Sequence, residues 1–416
     1  MYQGNLRLKQ VVSLFAVNIF IIPLSFVSNI IITRFLGPVA FGDFKFLFYV
    51  FNFCLVIFNF GFFYAGNRAL VLNDDPEKNR EYYGTMLVIL AALFILVAFV
   101  LCGYAMIDKN INEKGLRNML LGLIPFAWTF LLITYFELLL EADNKIGLLA
   151  KSRLYPKILF FISVLIIYFF MNNYHGNRLK IIWAFFILTQ IIGFLYILFR
   201  INPSFKNIRL RTAEIWHYNK TYGFNVYLGA LSNVGFANLA GLLISYFGAD
   251  NSGVGFYSLA LTITEPLGFI PNVIATTHYK EFATRTFISK RLILITLSVT
   301  SVALVACWIL VSPFVTYFYG HQFHAVISLT YIVSFGVIMN GFADFFNRFL
   351  GSHGQGVALR NSAFIVGIFI LVFNISLIPH FGETGAAYTL LLSALVYILA
   401  MLWFYRRLIV KLAKNS

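Results

Sequence analysis

The sequence predicts an all-α integral membrane protein. Of its 416 residues, 60% are hydrophobic and 11% are charged, whereas a soluble chain is roughly 45–50% apolar and about 25% charged. The mean hydropathy is +0.82, and the apolar residues form long continuous runs. No soluble fold has enough interior for so many apolar side chains. Disorder is excluded as well, because 18% of the residues are aromatic.

Twelve runs are long enough to cross the bilayer, since a helix needs roughly 20 apolar residues to span about 30 Å of hydrocarbon. Continuous runs favour helices over barrel strands, which alternate over about ten residues. The first run is longer than the apolar core of a signal peptide, so we expect an uncleaved helix there. The predicted spans are 11–33, 46–67, 85–107, 119–140, 156–173, 181–199, 224–247, 256–277, 292–315, 325–345, 361–379 and 384–404.

The distribution of basic residues predicts the orientation. With the N-terminus inside, 24 of the 31 Lys and Arg residues lie in cytoplasmic loops and seven lie outside, as the positive-inside rule requires. If one span had been miscounted, every loop after it would be assigned to the wrong side, and the basic residues would no longer concentrate in the inner loops. The sequence therefore predicts twelve spans with both termini cytoplasmic. The net charge of +15 sits in short clusters between spans, so no nucleic-acid partner is expected.

Cofactor chemistry has no sequence support. Cys54, Cys102 and Cys307 lie in separate apolar runs without metal-ligand spacing. A Walker A sequence is absent, so ATP hydrolysis by this chain is not expected. We expect no metal and no cofactor.

The longest inner connection divides the chain in half. It predicts an N-terminal six-helix bundle over 1–199, a cytoplasmic basic linker over 200–222 and a C-terminal six-helix bundle over 223–416. Within the linker, Ile215 and Trp216 could lie in the headgroup layer on a short amphipathic helix. The alternative, which we favour, is a basic linker that fixes topology.

The first outer turn of each half carries a repeated pattern. Arg34-Phe35-Leu36-Gly37-Pro38 continues to Gly42-Asp43-Phe44, and Phe247-Gly248 continues to Gly255-Phe256-Tyr257. Glycine suits these places because a tight reversal needs positive φ or close backbone approach. Each half contains an even number of spans, so the repeats are parallel, as in transporters whose substrate path runs between two rocking halves.

These turns and the 6+6 plan resemble the Wzx-type polysaccharide flippases of the multidrug/oligosaccharidyl-lipid/polysaccharide exporter superfamily. The resemblance implies a MATE-like pair of bundles. It also implies flipping of an undecaprenyl-diphosphate-linked oligosaccharide, a repeat unit of O-antigen (lipopolysaccharide), capsule or exopolysaccharide, across the bacterial plasma (inner) membrane. The implied partners are the lipid bilayer, a coupling H⁺ or Na⁺, a polysaccharide polymerase and a chain-length regulator. Related lipid II flippases usually carry two extra spans, which disfavours that branch.

A sugar-binding cavity needs a polar wall, and three predicted spans carry a polar stripe at helical spacing. The candidate cavity-lining residues are Asn18, Ser25 and Asn29 on span one, Asn52, Asn59 and Asn67 on span two, and Ser258, Thr262 and Asn272 on span eight. The alternative is that these side chains join helices by hydrogen bonds. The sequence does not decide between the two.

Acidic residues inside spans are costly and indicate function. Glu265 lies near the middle of span eight, and we expect reversible protonation coupled to transport, with a permanently neutral structural Glu as the alternative. Asp344 and Glu137 are weaker coupling candidates. Arg348 follows Asp344 by four residues and Glu137 lies near the inner boundary, so local pairing and snorkelling also explain them.

A diphosphate needs cations, and Arg offers forked hydrogen bonds to phosphate oxygens. The candidates for diphosphate binding are Arg68, Arg34, Lys45, Arg348 and Lys280. Each also suits a boundary residue that only anchors topology, which is the reading we favour.

A proton- or sodium-coupled multidrug exporter of the same superfamily is the main alternative function, because it shares the predicted architecture and a membrane acid. An envelope enzyme would need a substantial outer loop for its catalytic groups, and the predicted outer loops are short. We therefore expect no enzymatic activity.

Overall fold

The computed structural model of the protein describes residues 2–171, 176–231 and 235–415, and within these ranges all regular structure is helical. Side chains of residues 2–16, 18, 19, 133, 134 and 413–415 are also outside the description. The predicted all-α class is thus confirmed. The helices are α1 (Tyr2–Phe58), α2 (Phe62–Val71), α3 (Pro76–Ile107), α4 (Lys109–Glu113), α5 (Arg117–Leu123), α6 (Trp128–Ala142), α7 (Ile146–Phe170), α8 (Arg178–Ile201), α9 (Ile208–Tyr218), α10 (Phe224–Ala230), α11 (Phe236–Phe247), α12 (Ser252–Thr277), α13 (Tyr279–Thr284), α14 (Lys290–Phe318), α15 (Ala325–Ser352) and α16 (Gly356–Asn415).

Eight helices in the described part of the chain are long and apolar enough to cross a membrane, and α5 with α6 forms a ninth if this bent pair is one span. The longest helix, α16, covers two predicted spans, and α1 covers the first predicted span and part of the second. Gly37 in α1 has φ 76° and ψ 176°, and Gly382 in α16 has φ 55° and ψ −132°, so neither helix is regular throughout. The count of twelve and the cytoplasmic termini stay predictions.

The predicted second span, 46–67, is not one continuous helix. Phe60 has φ 48° and Gly61 has φ 83°, so the chain breaks between α1 and α2. A Cβ at Gly61 would lie 2.5 Å from the carbonyl carbon of Gly223. Glycine is therefore required for both conformation and space, and this close approach could not be seen from the apolar pattern alone.

Local sequence sets several helix starts. Asp75 caps α3, and its side chain accepts a hydrogen bond from the Glu77 amide at 2.9 Å. Pro76 occupies the first helical position, where its missing N–H costs nothing. Asn177 caps α8 in the same way, with the Lys180 amide as donor.

The chain forms two compact units. Unit 1 comprises Met1–Leu36 and Val50–Ala230, and unit 2 comprises Gly37–Tyr49 and Leu231–Ser416. The core of unit 1 joins α2, α3 and α6 through Phe63, Tyr83 and Tyr135, which are fully buried. The predicted bundle boundaries at 199 and 223 stay a prediction.

The predicted linker is partly an ordered helix of unit 1. Ile215 of α9 is fully buried in the unit 1 core, so it is not available to the headgroup layer, whereas Trp216 is exposed. Arg211 lies 2.7 Å from both Glu81 and Glu214, and the Tyr82 hydroxyl donates to Glu214. Packing and ion pairs together hold α9 against α3.

In unit 2, the segment 37–49 packs against α12. A Cβ at Gly42 would lie 1.8 Å from the Asn251 carbonyl oxygen, and one at Gly255 would lie 3.2 Å from the Gly42 Cα. The Asn251 side chain is fully buried and donates to Asp43 at 2.7 Å. Two glycines of the repeated turns therefore face each other at backbone contact. The inner core of unit 2 joins α12, α13, α15 and α16 around Ala275, Phe282, Phe349 and Met401.

Candidate substrate and ion site

A polar cluster in unit 2 joins α15 to α16. The Tyr397 hydroxyl donates to Asp344 Oδ1 at 2.9 Å, and the Asn347 amide donates to the Tyr397 oxygen at 2.9 Å. Asp344 is half-buried. Its carboxyl thus receives a hydrogen bond from a neutral group on another helix, rather than pairing only within α15. Such an arrangement permits either the ionised or the protonated acid.

Arg348 extends this cluster toward α12. Its Nη2 donates to Asn272 Oδ1 at 3.5 Å, a long hydrogen bond. The guanidinium is exposed, and this bond engages only one of its five N–H donors. Three residues singled out from the sequence, Asn272, Asp344 and Arg348, therefore lie in one region, with one cation that can still bind phosphate oxygens.

Glu265 lies on the same face of α12 as Asn272 and Ser258, because a spacing of seven residues returns to within about 20° on a helix. It stands near the middle of this 26-residue helix and is exposed. Its carboxyl forms no hydrogen bond or ion pair with any residue that the structure describes. An unpaired charge at the centre of a membrane helix costs about 2.5–3.5 kcal/mol, so an acid at this position is a candidate functional group.

The other two stripe residues of α12 are already hydrogen-bonded. The Thr262 hydroxyl donates to the Ser258 carbonyl at 2.8 Å. Ser258 is buried and its side chain bonds to that of Tyr49. The Ser258 side chain therefore bonds to a residue outside α12, whereas the Thr262 hydroxyl bonds only to the backbone of its own helix.

The span-two candidates lie in unit 1, where two of them serve packing. The Asn67 amide donates to the Leu138 carbonyl on α6 at 2.7 Å. Asn59 is buried, and its side-chain oxygen accepts a hydrogen bond from the Phe63 amide at 3.5 Å, near the start of α2. Asn52 is half-buried and has no hydrogen bond to the described residues.

The structure gives less information on the span-one candidates. Ser25 and Asn29 are half-buried on α1. The side chain of Asn18 lies outside the described residues. No shared ligand-binding geometry is defined for this stripe.

Glu137 of unit 1 differs from Asp344 and Glu265 of unit 2 because it forms an ion pair. Arg153 Nε on α7 lies 3.1 Å from Glu137 Oε1, and the side chains are 31% and 42% exposed. The pairing is between helices. Arg153 lies 16 residues after Glu137 and on another helix, so helical periodicity could not have predicted this pair.

The remaining cations are distributed over both units. Arg68 of unit 1 is exposed at the end of α2, 5.7 Å from the ring centroid of Tyr222. Arg34, also in unit 1, is exposed. In unit 2, Lys45 lies 5.3 Å from the ring centroid of Phe41, and Lys280 is exposed.

Sequence reasoning missed Tyr397 and Asn347, the partners that orient Asp344. Asn347 stands three residues after Asp344, which was a usable signal. Tyr397 lies in an apolar run among many aromatic residues, so only the packing of α16 on α15 identifies it.

The fold is that of known flippases and exporters. It is similar to the lipid II flippase MurJ in an inward closed conformation, with a TM-score of 0.73 and 14% identity over 97% of this chain and 90% of that chain. It is also similar to an inward-facing MATE family multidrug resistance transporter of the MOP superfamily, with a TM-score of 0.72 and 17% identity over 95% of this chain and 96% of that chain.

The sequence assigns the family. The chain belongs to the polysaccharide biosynthesis protein family, whose model matches residues 7–279. An uncharacterised membrane protein of Methanocaldococcus jannaschii is 20% identical over 358 residues, which cover 81% of this chain and 70% of that protein. The resemblance to polysaccharide flippases that the turn motifs indicated is thereby confirmed.

Proposed function

We propose that this protein flips an undecaprenyl-diphosphate-linked oligosaccharide, the repeat unit of an O-antigen, capsule or exopolysaccharide, across a bacterial plasma membrane by alternating access. The observation that carries the proposal is the polysaccharide biosynthesis family match over residues 7–279. The fold shared with a lipid II flippase supports the transport of a lipid-linked substrate.

The unit 2 cluster supplies suitable chemistry. The exposed guanidinium of Arg348 can make forked hydrogen bonds to a diphosphate, and the Asn272 beside it can bind sugar hydroxyls. Lys280, Arg68, Arg34 and Lys45 are proposed as further cations that the diphosphate meets. Glu265, and secondarily Asp344, would bind and release the coupling H⁺ or Na⁺. The ion pair of Glu137 makes it the weakest of the three coupling candidates.

Proton- or sodium-coupled drug export is the alternative. It is favoured by the nearly equal similarity to a MATE multidrug transporter, with a TM-score of 0.72. Both functions fit the predicted architecture of twelve spans in two six-helix bundles, so the substrate has to be determined by experiment.

A strain lacking the protein tests the choice. We expect a lipid-linked oligosaccharide to accumulate in the cytoplasmic leaflet, where an external glycosidase cannot reach it until the membrane is opened. Its mass and sugar sequence identify the cargo. Drug sensitivity without such accumulation would contradict the proposal and favour the exporter.

Arg348→Gln should give the same accumulation at wild-type protein level. Arg285→Gln is a matched control, because Arg285 also lies in unit 2 and its Nη2 is 3.1 Å from Glu281. Equal phenotypes of the two variants would remove Arg348 from the substrate site.

A further inference from the structure

A groove in unit 1 lies between α8 and the segment formed by α5 and the turn Ile124–Phe126. Its volume is about 440 Å³, within the roughly 300–1,000 Å³ range of small-molecule sites. All of its lining residues belong to unit 1. The groove follows α8 from Lys180 to Ile191, which is about 17 Å of helix.

The floor of the groove is rigid and apolar. Trp183 is 1% exposed, and its ring contacts those of Phe51, Phe130 and Phe186 at centroid distances of 5.9, 6.2 and 5.6 Å. Interlocked aromatic rings of this kind hold a preformed wall. An occupant of the groove thus meets a fixed surface.

Small residues leave room above this floor, and the rim is apolar. A Cβ at Gly122 would meet no atom within 4 Å, and Ala184 also lines the groove. Leu188 and Phe126 at the rim are 50% and 39% exposed. Because α8 is a candidate membrane span, the groove is open to hydrocarbon rather than to a soluble ligand.

Polar groups lie only near the starts of α5 and α8. Asn118 and Lys180 are both exposed there, on the side that the charge count predicts to be outside. The Lys180 ammonium has no hydrogen bond or ion pair with the residues that the structure describes. The neighbouring cations are engaged, since Arg178 donates to the Phe35 carbonyl and Arg117 to the Ala105 carbonyl, both at 2.9 Å.

We propose that this groove binds the isoprenoid chain of a polyprenyl phosphate, with the phosphate on the Lys180 ammonium at its outer end. An apolar channel that ends at one free cation is complementary to a lipid with one chain and one anionic head. The inference rests on the proposed function, because this lipid would be the carrier of the flipped saccharide. It assigns the isoprenoid chain and one phosphate contact, Lys180, to unit 1, in addition to the diphosphate contacts proposed in unit 2.

Photo-crosslinking of the purified full-length protein tests the site. The probe is a polyprenyl phosphate with a diazirine in its chain, in phosphatidylethanolamine vesicles. We expect crosslinks in residues 117–126 and 178–191. Ala184→Phe should fill the groove and lower the yield at least fivefold. Lys180→Gln should lower it about fivefold, because one cation beside an anionic head contributes about 1 kcal/mol.

Two matched variants serve as controls. Ala92→Phe adds the same ring to an exposed site on α3, and Lys109→Gln removes another exposed outer lysine; neither residue lines the groove. Both should crosslink like the wild type. If Ala184→Phe does not fold, the crosslinking yield of Lys180→Gln compared with that of Lys109→Gln tests the proposal by itself.

Three results would overturn the proposal. The first two are crosslinks confined to other helices and equal crosslinking yields for the groove and control variants. The third is displacement of the probe by phosphatidylglycerol as effective as that by unlabelled polyprenyl phosphate, because the groove would then be an ordinary phospholipid surface. Binding is measured here without transport. A protein that crosslinks in the groove but moves no saccharide refutes only the proposed function, and one that flips without these crosslinks refutes only the groove.

Discussion

Two acids of unit 1 and two acids of unit 2 have different kinds of partner. In unit 1, Glu137 pairs with Arg153 at 3.1 Å and Glu214 pairs with Arg211 at 2.7 Å. In unit 2, Asp344 accepts a hydrogen bond from the neutral Tyr397 hydroxyl, and Glu265 has no bonded partner among the described residues.

This difference separates structural from functional acids. A carboxylate beside an arginine is held in its ionised form, because losing the charge would leave the cation unpaired. An acid with a neutral partner or none can change protonation without that penalty. We therefore expect Glu137 and Glu214 of unit 1 to fix helices, and we propose Asp344 and Glu265 of unit 2 as the acids that couple transport to an ion.

The largest expected effect is on the stability of unit 1. Arg211→Ala removes the common partner of Glu81 and Glu214, and its own side chain is only 12% exposed. We expect a loss of about 3 kcal/mol in the free energy of unfolding, as for other partly buried ion pairs. Thermal unfolding in detergent measures it, with Arg209→Ala on the same helix, at an exposed position, as the control. Equal melting temperatures would show that the network does not hold α9.

Asp344→Asn should come next. It keeps the shape and removes the titration, so we expect proton-driven flipping to fall about tenfold, or about 1.4 kcal/mol in the barrier. Tyr397→Phe removes two hydrogen bonds, the one to Asp344 and the one from Asn347. At about 0.6 kcal/mol each in a membrane protein, their loss should cost about sevenfold. Initial rates in proteoliposomes measure both. A larger defect for Tyr397→Phe would assign the cluster a structural role.

A smaller effect is the pH dependence of the Glu214 contribution. Burial alone would raise the pKa of Glu214, but hydrogen bonds from Tyr82 and Arg211 outweigh it and lower this pKa below 4.5. Because the pKa of Glu214 is lower in the folded than in the unfolded state, this group stabilises the protein fully at pH values above its unfolded-state pKa. The stabilisation is lost as the pH falls through its folded-state pKa. The melting-temperature difference between wild type and Glu214→Gln should be full at pH 7 and shrink below about pH 4.5. A difference that grows on acidification would refute the assignment.

The smallest effect is expected for Glu137→Gln. Its ion pair with Arg153 is 31% and 42% exposed, and such pairs contribute about 0.2–1 kcal/mol. Flipping should stay within twofold of the wild type and retain its full dependence on the proton gradient. If that dependence disappeared, the contrast between the units would be wrong.

The sequence predicted the elements that depend on local composition. Gly37 has the positive φ expected for a tight reversal, and Gly42 and Gly255 have the expected close backbone approach. These positions were readable because only glycine meets either demand. The break at Phe60 could not be predicted, because Phe is a common residue in membrane helices and the apolar pattern does not show that Gly61 approaches Gly223.

The candidate site was predictable only in its parts. Glu265, Asn272 and Asp344 were identified because polar groups in apolar runs are costly. Their partners come from other helices: Tyr397 binds Asp344 across 53 residues and Arg348 binds Asn272 across 76. Helical periodicity relates residues within one helix, so it cannot select such partners.

The most direct test of the central claim is proton-driven flipping by purified Glu265→Gln in sealed vesicles, with Glu137→Gln alongside. External glycosidase reports the lipid-linked oligosaccharide that reaches the outer leaflet, with and without an imposed pH gradient. The account predicts that Glu265→Gln loses the acceleration by the gradient and that Glu137→Gln keeps it. Full acceleration in Glu265→Gln would contradict the assignment of coupling to unit 2.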